Sequence, residues 1–306
     1  MDRGDHDVGS VGWHEPFGVG PAPPAARDDA RERPGNEAER SAWARWLREV
    51  YGATDERALW LRFHTQTAGV SLTAQQPVNN VVRTAVEALA AVLGGTNSLH
   101  TNALDETLAL PTDEAAELAL RTQQVLMEET GVTNVADPLG GSWYVEALTD
   151  QIEAEAEAIF DKIKQMAGEG EHPIGQMTAG ILRGIEDGWF MAEIADAAFA
   201  YQQALEKGDK KIVGVNCYTN TVTKDLEILR ISHEVELEQR RALSQRRAAR
   251  DQAAVDAALA RMVQAARSDE NLLPTMLDAC RVEATLGEIC GVLREEWGSY
   301  REPARF

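Results

Sequence analysis

Basic residues, cysteines and aromatics are all scarce in this sequence, and each shortage removes a class of function. Its 30 Lys and Arg face 50 Asp and Glu, a formal net charge of −20. So acidic a chain repels phosphate backbones and anionic headgroups, which argues against nucleic acid and against a membrane as partners. The three cysteines, Cys217, Cys280 and Cys290, lack metal-like spacing, and their odd number cannot form a fully paired disulfide framework. Such usage fits a reducing compartment, so the expected location is cytoplasmic. No apolar run reaches the ~20 residues of a membrane-spanning helix. Positions 1–40 lack the charged-then-apolar pattern of a secretion signal. Rich in Gly, Pro, Asp and Arg, they are expected to form a disordered leader in which His6 and His14 are solvated.

What is present is a chain of 306 residues, 44% hydrophobic, enough for one large or two medium domains. Its organising stretch runs from Trp60 to Leu110. Leu59–Thr67 is rich in β-forming residues and reads as a strand, with Arg62, His64 and Gln66 on one face. Ser98–Asn102 reads as a second strand, with Ser98, His100 and Asn102 on one face. Between them, Val78, Val82, Val86, Leu89 and Leu93 recur at helical spacing, and Gly94-Gly95 stops the helix. Strand, helix and strand in this order make a βαβ unit with parallel strands. A parallel strand normally reads as a continuous apolar run. Here each strand is expected to bury a row of hydrogen-bonding side chains, which must find partners. Either histidine alone would read as an ordinary core residue. Two polar rows on adjacent strands, followed by Asn102, Asp105 and Glu106 past the strand end, favour a ligand site, because parallel α/β folds bind ligands there.

Elsewhere the pattern is helical. A helix is expected from Ser41, with Trp43, Trp46, Leu47 and Val50 on one side and Gly52 as its stop. Thr112 should cap a helix running to Glu129, ended by Gly131. The turn-rich segment VADPLGGSW follows. Leu148, Ile152, Ile159 and Ile163 then mark a long amphipathic helix, and a helix pair spans Ile174–Glu206. Trp189, Phe190 and Tyr201 read as helix core or a chain interface rather than a cofactor box. Lys211–Asn216 is a candidate short strand or extended piece. From Thr223 to about Ala266 the chain is expected to be helical and heavily charged, with Arg240, Arg241, Arg246, Arg247 and Arg250 on a solvated helix. Leu272–Glu296 regains apolar periodicity and should pack back on the body.

The segments RFHTQTAG, LTAQQPVNNVVRTAVEALAAVLGGTNSLHTNALDETLALPT and VADPLGGSWYVE together resemble the large subunit of the adenosylcobalamin-dependent acyl-CoA mutases. That family includes methylmalonyl-CoA mutase and isobutyryl-CoA mutase. The likeness runs on through EDGWFMAEIADAAFAYQQALEKGDKKIVGVN and more weakly through LLPTMLDACRVEATLGEICGVL. It implies an α/β fold: the C-terminal portion of a (β/α)8 TIM barrel followed by a helical linker region. Residues 1–40 would be the leader, 41–136 the late barrel units and 137–306 the mainly helical remainder. The implied activity is isomerisation: radical carbon-skeleton rearrangement of a CoA thioester. Cofactors carry that chemistry, and the protein orients groups and excludes water.

The resemblance also implies roles. Asn102 and Glu106 match positions near the adenosyl ribose, and Gln66 and Gly69 match positions near the corrin face. Ala109 and Leu110 would pack beneath the same ligand. Arg62, His64 and His100 would face the substrate channel, His64 as the candidate catalytic residue. The family's D-x-H-x-x-G cobalt-ligating motif is not found, since none of the six histidines lies two residues after an Asp. The cobalt ligand is therefore expected from a separate cobalamin-binding subunit. Another chain completing the barrel, or self-association, is expected to cover its open edges. A competing reading is a non-catalytic barrel remnant acting as an interaction protein. Phe63 and the Gln75-Gln76-Pro77 tripeptide lean toward isobutyryl-CoA mutase.

Overall fold

The computed structural model describes residues 38–168, 173–220 and 226–301. Residues 1–37 of the proposed leader, including His6 and His14, lie outside the described residues, as does the start of the Thr223 segment, whereas 38–40 belong to a helix rather than to a disordered leader. Two compact units divide the chain, the first ending at Leu229 and the second beginning at Arg230.

Among the described residues of the first unit, the sheet has two strands, β1 (His64–Gln66) and β2 (Ser98–His100), joined by helix α2 (Asn80–Leu93). The strands are parallel, in register His64 to Ser98, Thr65 to Leu99 and Gln66 to His100. The βαβ unit read from the sequence is therefore present, though both strands are shorter than the apolar pattern suggests. The fold is α/β and mostly helical. Helix α1 (Ala38–Glu49) precedes the unit and starts a turn before Ser41, whose hydroxyl donates to Glu153 instead of capping it.

Two expectations about this unit need correction. The expected valine face is not buried: Val78, in the turn before α2, and Val82 and Val86 within it are 63%, 64% and 40% exposed. The buried residues of α2 are Asn80, Thr84, Glu87, Ala88 and Ala91. Small side chains let the helix backbone approach the strands closely, and that decides which face turns inward. Nor is the polar row of the strands buried, except for Asn102 at its end, which is enclosed and hydrogen-bonded as expected. His64, Gln66, Ser98 and His100 are exposed, while Thr65 and Leu99 are partly covered. With two strands among the described residues, nothing in them walls off that side.

Helix α3 (Asp113–Glu129) begins as expected, with the Thr112 hydroxyl accepting from Ala115 N–H. Gly131 follows at φ +73°, a left-handed conformation that glycine adopts freely. Helix α4 (Trp143–Ala167) runs long and buries Ile163, but Ile159 points outward at 50% exposure. It is braced by α1: Arg45 pairs with Glu153 at 2.7 Å and Glu157 at 2.9 Å, and the Trp46 and Phe160 rings meet edge-on. Helix α5 (Pro173–Glu186) crosses α4 at Gly180, where a Cβ would sit 1.9 Å from the Ile163 carbonyl oxygen. Helix α6 (Trp189–Lys207) starts with Trp189 and Phe190 stacked edge-on, Phe190 lying over Gly184, as the packing reading expects. Lys211–Asn216 forms no full strand; Val213 makes only an isolated parallel bridge to Cys217. The segment is a tight turn closed by Gly214 N–H to the Cys217 carbonyl at 2.8 Å, and it docks on the α2 unit through Arg83 to the Val213 carbonyl.

The charged segment is helical only from His233, since residues 226–232 form no helix, and in the second unit it divides into two helices. Helix α7 (His233–Ala249) ends at Arg250, and α8 (Gln252–Ala266) restarts on Asp251, whose carboxylate accepts from Ala254 N–H. Helix α7 buries no residue, so most of its arginines are solvated as expected. Arg250 is the exception, with only 4% of its side chain exposed and Glu288 at 2.6 Å. Helices α9 (Leu272–Arg281) and α10 (Leu286–Trp297) pack with α8 around Met262, Ala279 and Ile289. No helix among the described residues is long and apolar enough to cross a membrane.

Candidate functional site

The site forms where β1 and β2 end, because parallel pairing brings both C-terminal ends to the same edge. Thr67 N–H donates to the His100 carbonyl at 3.1 Å, extending the ladder by one step. Beyond it, the fully buried Thr67 and Asn102 lock the two strand ends together. Asn102 N–H donates to the Thr67 hydroxyl at 2.9 Å, and the Asn102 amide donates to the Thr67 carbonyl at 2.8 Å. Gln66 then donates its amide to Asn102 Oδ1 at 3.3 Å. The outward edge of this line carries the exposed His64, whose Nδ1 lies 2.7 Å from the Ser98 hydroxyl.

The chain after β2 turns tightly on Asp105. Its carbonyl accepts from Leu108 and Ala109 N–H, and its carboxylate accepts from Thr112 N–H at 3.0 Å. That turn presents Glu106 beside Asn102. The Glu106 N–H donates to the Ala103 carbonyl at 3.2 Å, and its carboxylate has no hydrogen-bond partner among the described residues. Desolvation raises its carboxyl above the ordinary value; His100 opposes the rise and Asp105 adds to it.

Gly69 faces the pair from the other strand end. A Cβ there would lie 2.7 Å from Glu106 Oε1 and 3.4 Å from Asn102 Nδ2, so the glycine lets the Glu106 carboxylate lie against the turn without being displaced. The turn that carries Gly69 is held from below by Glu87 of α2. The Glu87 carboxylate accepts from Ala68 N–H at 2.9 Å and contacts the Ser71 hydroxyl closely. Glu87 is completely buried, and desolvation pushes its carboxyl up to about 7 against the pull of those bonds and of Arg83.

Of the residues singled out in the sequence, Gln66, Gly69, Asn102 and Glu106 come together at one edge. His64 and His100 lie beside them on the open polar row. Arg62 stands apart before β1, its guanidinium over the Trp60 ring at 5.5 Å. Ala109 is half-buried in the Asp105 turn, and Leu110 is 57% exposed. Sequence reading missed Glu87. Its signal was present: Asn80, Thr84, Glu87, Ala88 and Ala91 fall on one helical face, and a carboxylate among small residues marks close approach to another backbone.

A family model described as methylmalonyl-CoA mutase matches residues 36–299. The chain belongs to the methylmalonyl-CoA mutase family. Among similar proteins is the 2-hydroxyisobutanoyl-CoA mutase large subunit of Aquincola tertiaricarbonis, 42% identical over 271 residues, covering 87% of this chain and 46% of that protein. The methylmalonyl-CoA mutase of Escherichia coli K12 is 43% identical over 269 residues, covering 87% of this chain and 36% of its own length. A probable methylmalonyl-CoA mutase large subunit of Mycobacterium bovis is 42% identical over 259 residues, covering 81% of this chain and 33% of its own length. The chain thus spans less than half the length of these mutases.

Proposed function

We propose that this chain supplies the late strands of a (β/α)8 barrel and the following helical region to an adenosylcobalamin-dependent acyl-CoA mutase, an isomerase of CoA thioesters. In this reading residues 41–136 are the partial barrel and 137–306 the mainly helical region. The observation that carries it is the unpartnered Glu106 carboxylate beside Asn102, with Gly69 letting that carboxylate lie against the turn without being displaced. A free carboxylate accepts from both hydroxyls of a vicinal diol, and the Asn102 amide retains one N–H and one lone pair for the same group. That donor and acceptor set fits the ribose of an adenosyl group.

When bound, adenosylcobalamin supplies the radical that begins the rearrangement. The residues of this chain bind and orient. Asn102 and Glu106 would hold the ribose, Gln66 would fix the Asn102 amide, and Gly69, Ala109 and Leu110 would line the approach of the corrin. Arg62, His64 and His100 would face the thioester, the His64 ring being held at Nδ1 by the Ser98 hydroxyl. The open polar row supports a substrate channel closed by further strands, supplied by another chain or by self-association. The description of two relatives as large subunits supports a separate cobalamin-binding partner.

The test is turnover. The chain is mixed with adenosylcobalamin and candidate partner subunits, and methylmalonyl-CoA, isobutyryl-CoA and 2-hydroxyisobutanoyl-CoA are followed by chromatography. Turnover only in the presence of partners, falling by at least tenfold in Glu106→Ala, is the expected result. No turnover and no retained cobalamin in any mixture would refute the assignment.

A further inference from the structure

Glu87 stands out among the buried groups because no cation pairs with it directly, and the charge of Arg83 offsets its burial only in part. Its side chain is wholly enclosed, and an enclosed carboxylate is unfavourable unless it is paired and hydrogen-bonded. The nearest cation is otherwise engaged: the Arg83 guanidinium donates to the Thr73 hydroxyl, the Asn80 side-chain oxygen and the Val213 carbonyl. Both hydrogen-bonding contacts of Glu87 go to one short turn, Ala68 N–H and the Ser71 hydroxyl. That turn is the one that carries Gly69. The Ser71 hydroxyl also lies 2.8 Å from the Ala68 carbonyl, so a neutral carboxyl can donate to Ser71 while Ser71 donates onward. An apolar side chain of equal size would fill the space without desolvating a charge, so the carboxyl's contribution is to the shape of the turn.

We propose that Glu87 is a positioning residue that fixes the Ala68–Ser71 turn, and with it Gly69, in front of Asn102 and Glu106. It touches no ligand itself. The inference rests on the reading of Asn102 and Glu106 as the ribose-binding pair, and it adds the element that holds the turn against which Glu106 lies. A turn released from Glu87 lets Gly69 drift from a place where even one methyl group would meet Glu106.

Two variants of similar volume separate positioning from packing. Glu87→Met fills the space but bonds neither partner. Glu87→Gln keeps both contacts, because its carbonyl accepts from Ala68 N–H and its amide donates to Ser71. Backbone hydrogen exchange is followed in the full chain by mass spectrometry, and the affinity for 5′-deoxyadenosine by calorimetry. In Glu87→Met, exchange across 67–72 should rise about tenfold while α3 is unchanged, and 5′-deoxyadenosine should bind about tenfold more weakly. Glu87→Gln should restore both to near the unaltered values. Equal behaviour of the two variants, or a rise in exchange spread over the whole unit, would overturn the proposal. So would unchanged ligand affinity in Glu87→Met when Glu106→Ala abolishes binding, a result that leaves the ribose reading standing. If the unaltered chain binds no 5′-deoxyadenosine, the ribose reading fails by itself. Exchange across 67–72 then upholds or overturns the tether alone.

Discussion

Replacing Gly180 with alanine should disrupt the α4–α5 crossing. A Cβ built at Gly180 lies 1.9 Å from the Ile163 carbonyl oxygen and 2.7 Å from its carbon, against an ordinary contact of 3.4–4 Å. Both of these atoms are backbone, so no rotamer change relieves the overlap, and the helices must part by about 1.5 Å to reach ordinary contact. Parting them uncovers Ile163, one of the two residues α4 buries. Overpacking of this kind costs about 3 kcal/mol, offset by ~1 kcal/mol of helix propensity gained on replacing glycine. The net loss of about 2 kcal/mol corresponds to a Tm lowered by roughly 4–8 °C for a unit of this size. Gly175 lies on the same helix with nothing within 4 Å of its Cβ position, so Gly175→Ala is the internal control. Its Tm should match or slightly exceed that of the unaltered chain. Circular dichroism melts of the full chain decide the matter. Were Gly180→Ala to melt within about 1 °C of the Gly175→Ala control, the crossing geometry would be wrong.

The buried Glu87 also sets a pH dependence. Its carboxyl is raised from 4.5 to about 7 in the folded chain, so its neutral form is favoured by folding. The associated stability is fully present below pH ~4.5 and is lost as pH rises through 7, by roughly 3 kcal/mol in all. Arg83 is the charged neighbour that opposes the shift, and it does so only in part. Glu87→Gln does not titrate, so its stability relative to the unaltered chain should rise between pH 5 and pH 8 in urea melts, and a constant difference would refute the linkage. In the second unit, Thr285 and Glu288 form a reciprocal cap at the start of α10, and Arg250 holds Glu288 as well. Thr285→Ala should lose about 1 kcal/mol and speed hydrogen exchange in the first turn of α10, whereas Thr285→Ser should not. Indistinguishable exchange in the two variants would show that the cap contributes nothing.

The order of elements was legible in the sequence because it depends on local chemistry. Apolar spacing and Gly94-Gly95 marked α2, Thr112 with its acidic first turn marked α3, and the βαβ order required parallel strands. Placing Gln66, Asn102 and Glu106 at one edge followed from that topology, since parallel strands end on the same side. Family membership was likewise carried by the residues themselves.

Burial was not legible, because it is a property of neighbours. Periodicity named the valine face of α2 as the core, yet the face with Asn80, Thr84, Glu87 and Ala91 packs inward. Counting apolar residues cannot see that small side chains permit the closer approach. The same limit hid the break at Arg250: a charged run reads as helical throughout until the Arg250–Glu288 pair and the Asp251 cap divide it. It also hid Glu87, whose partners stand 16 and 19 positions earlier in the chain. The sequence by itself determined which segments become helix or strand and which chemistry they carry. Only the tertiary structure decided which faces meet, because that depends on how closely two backbones can approach.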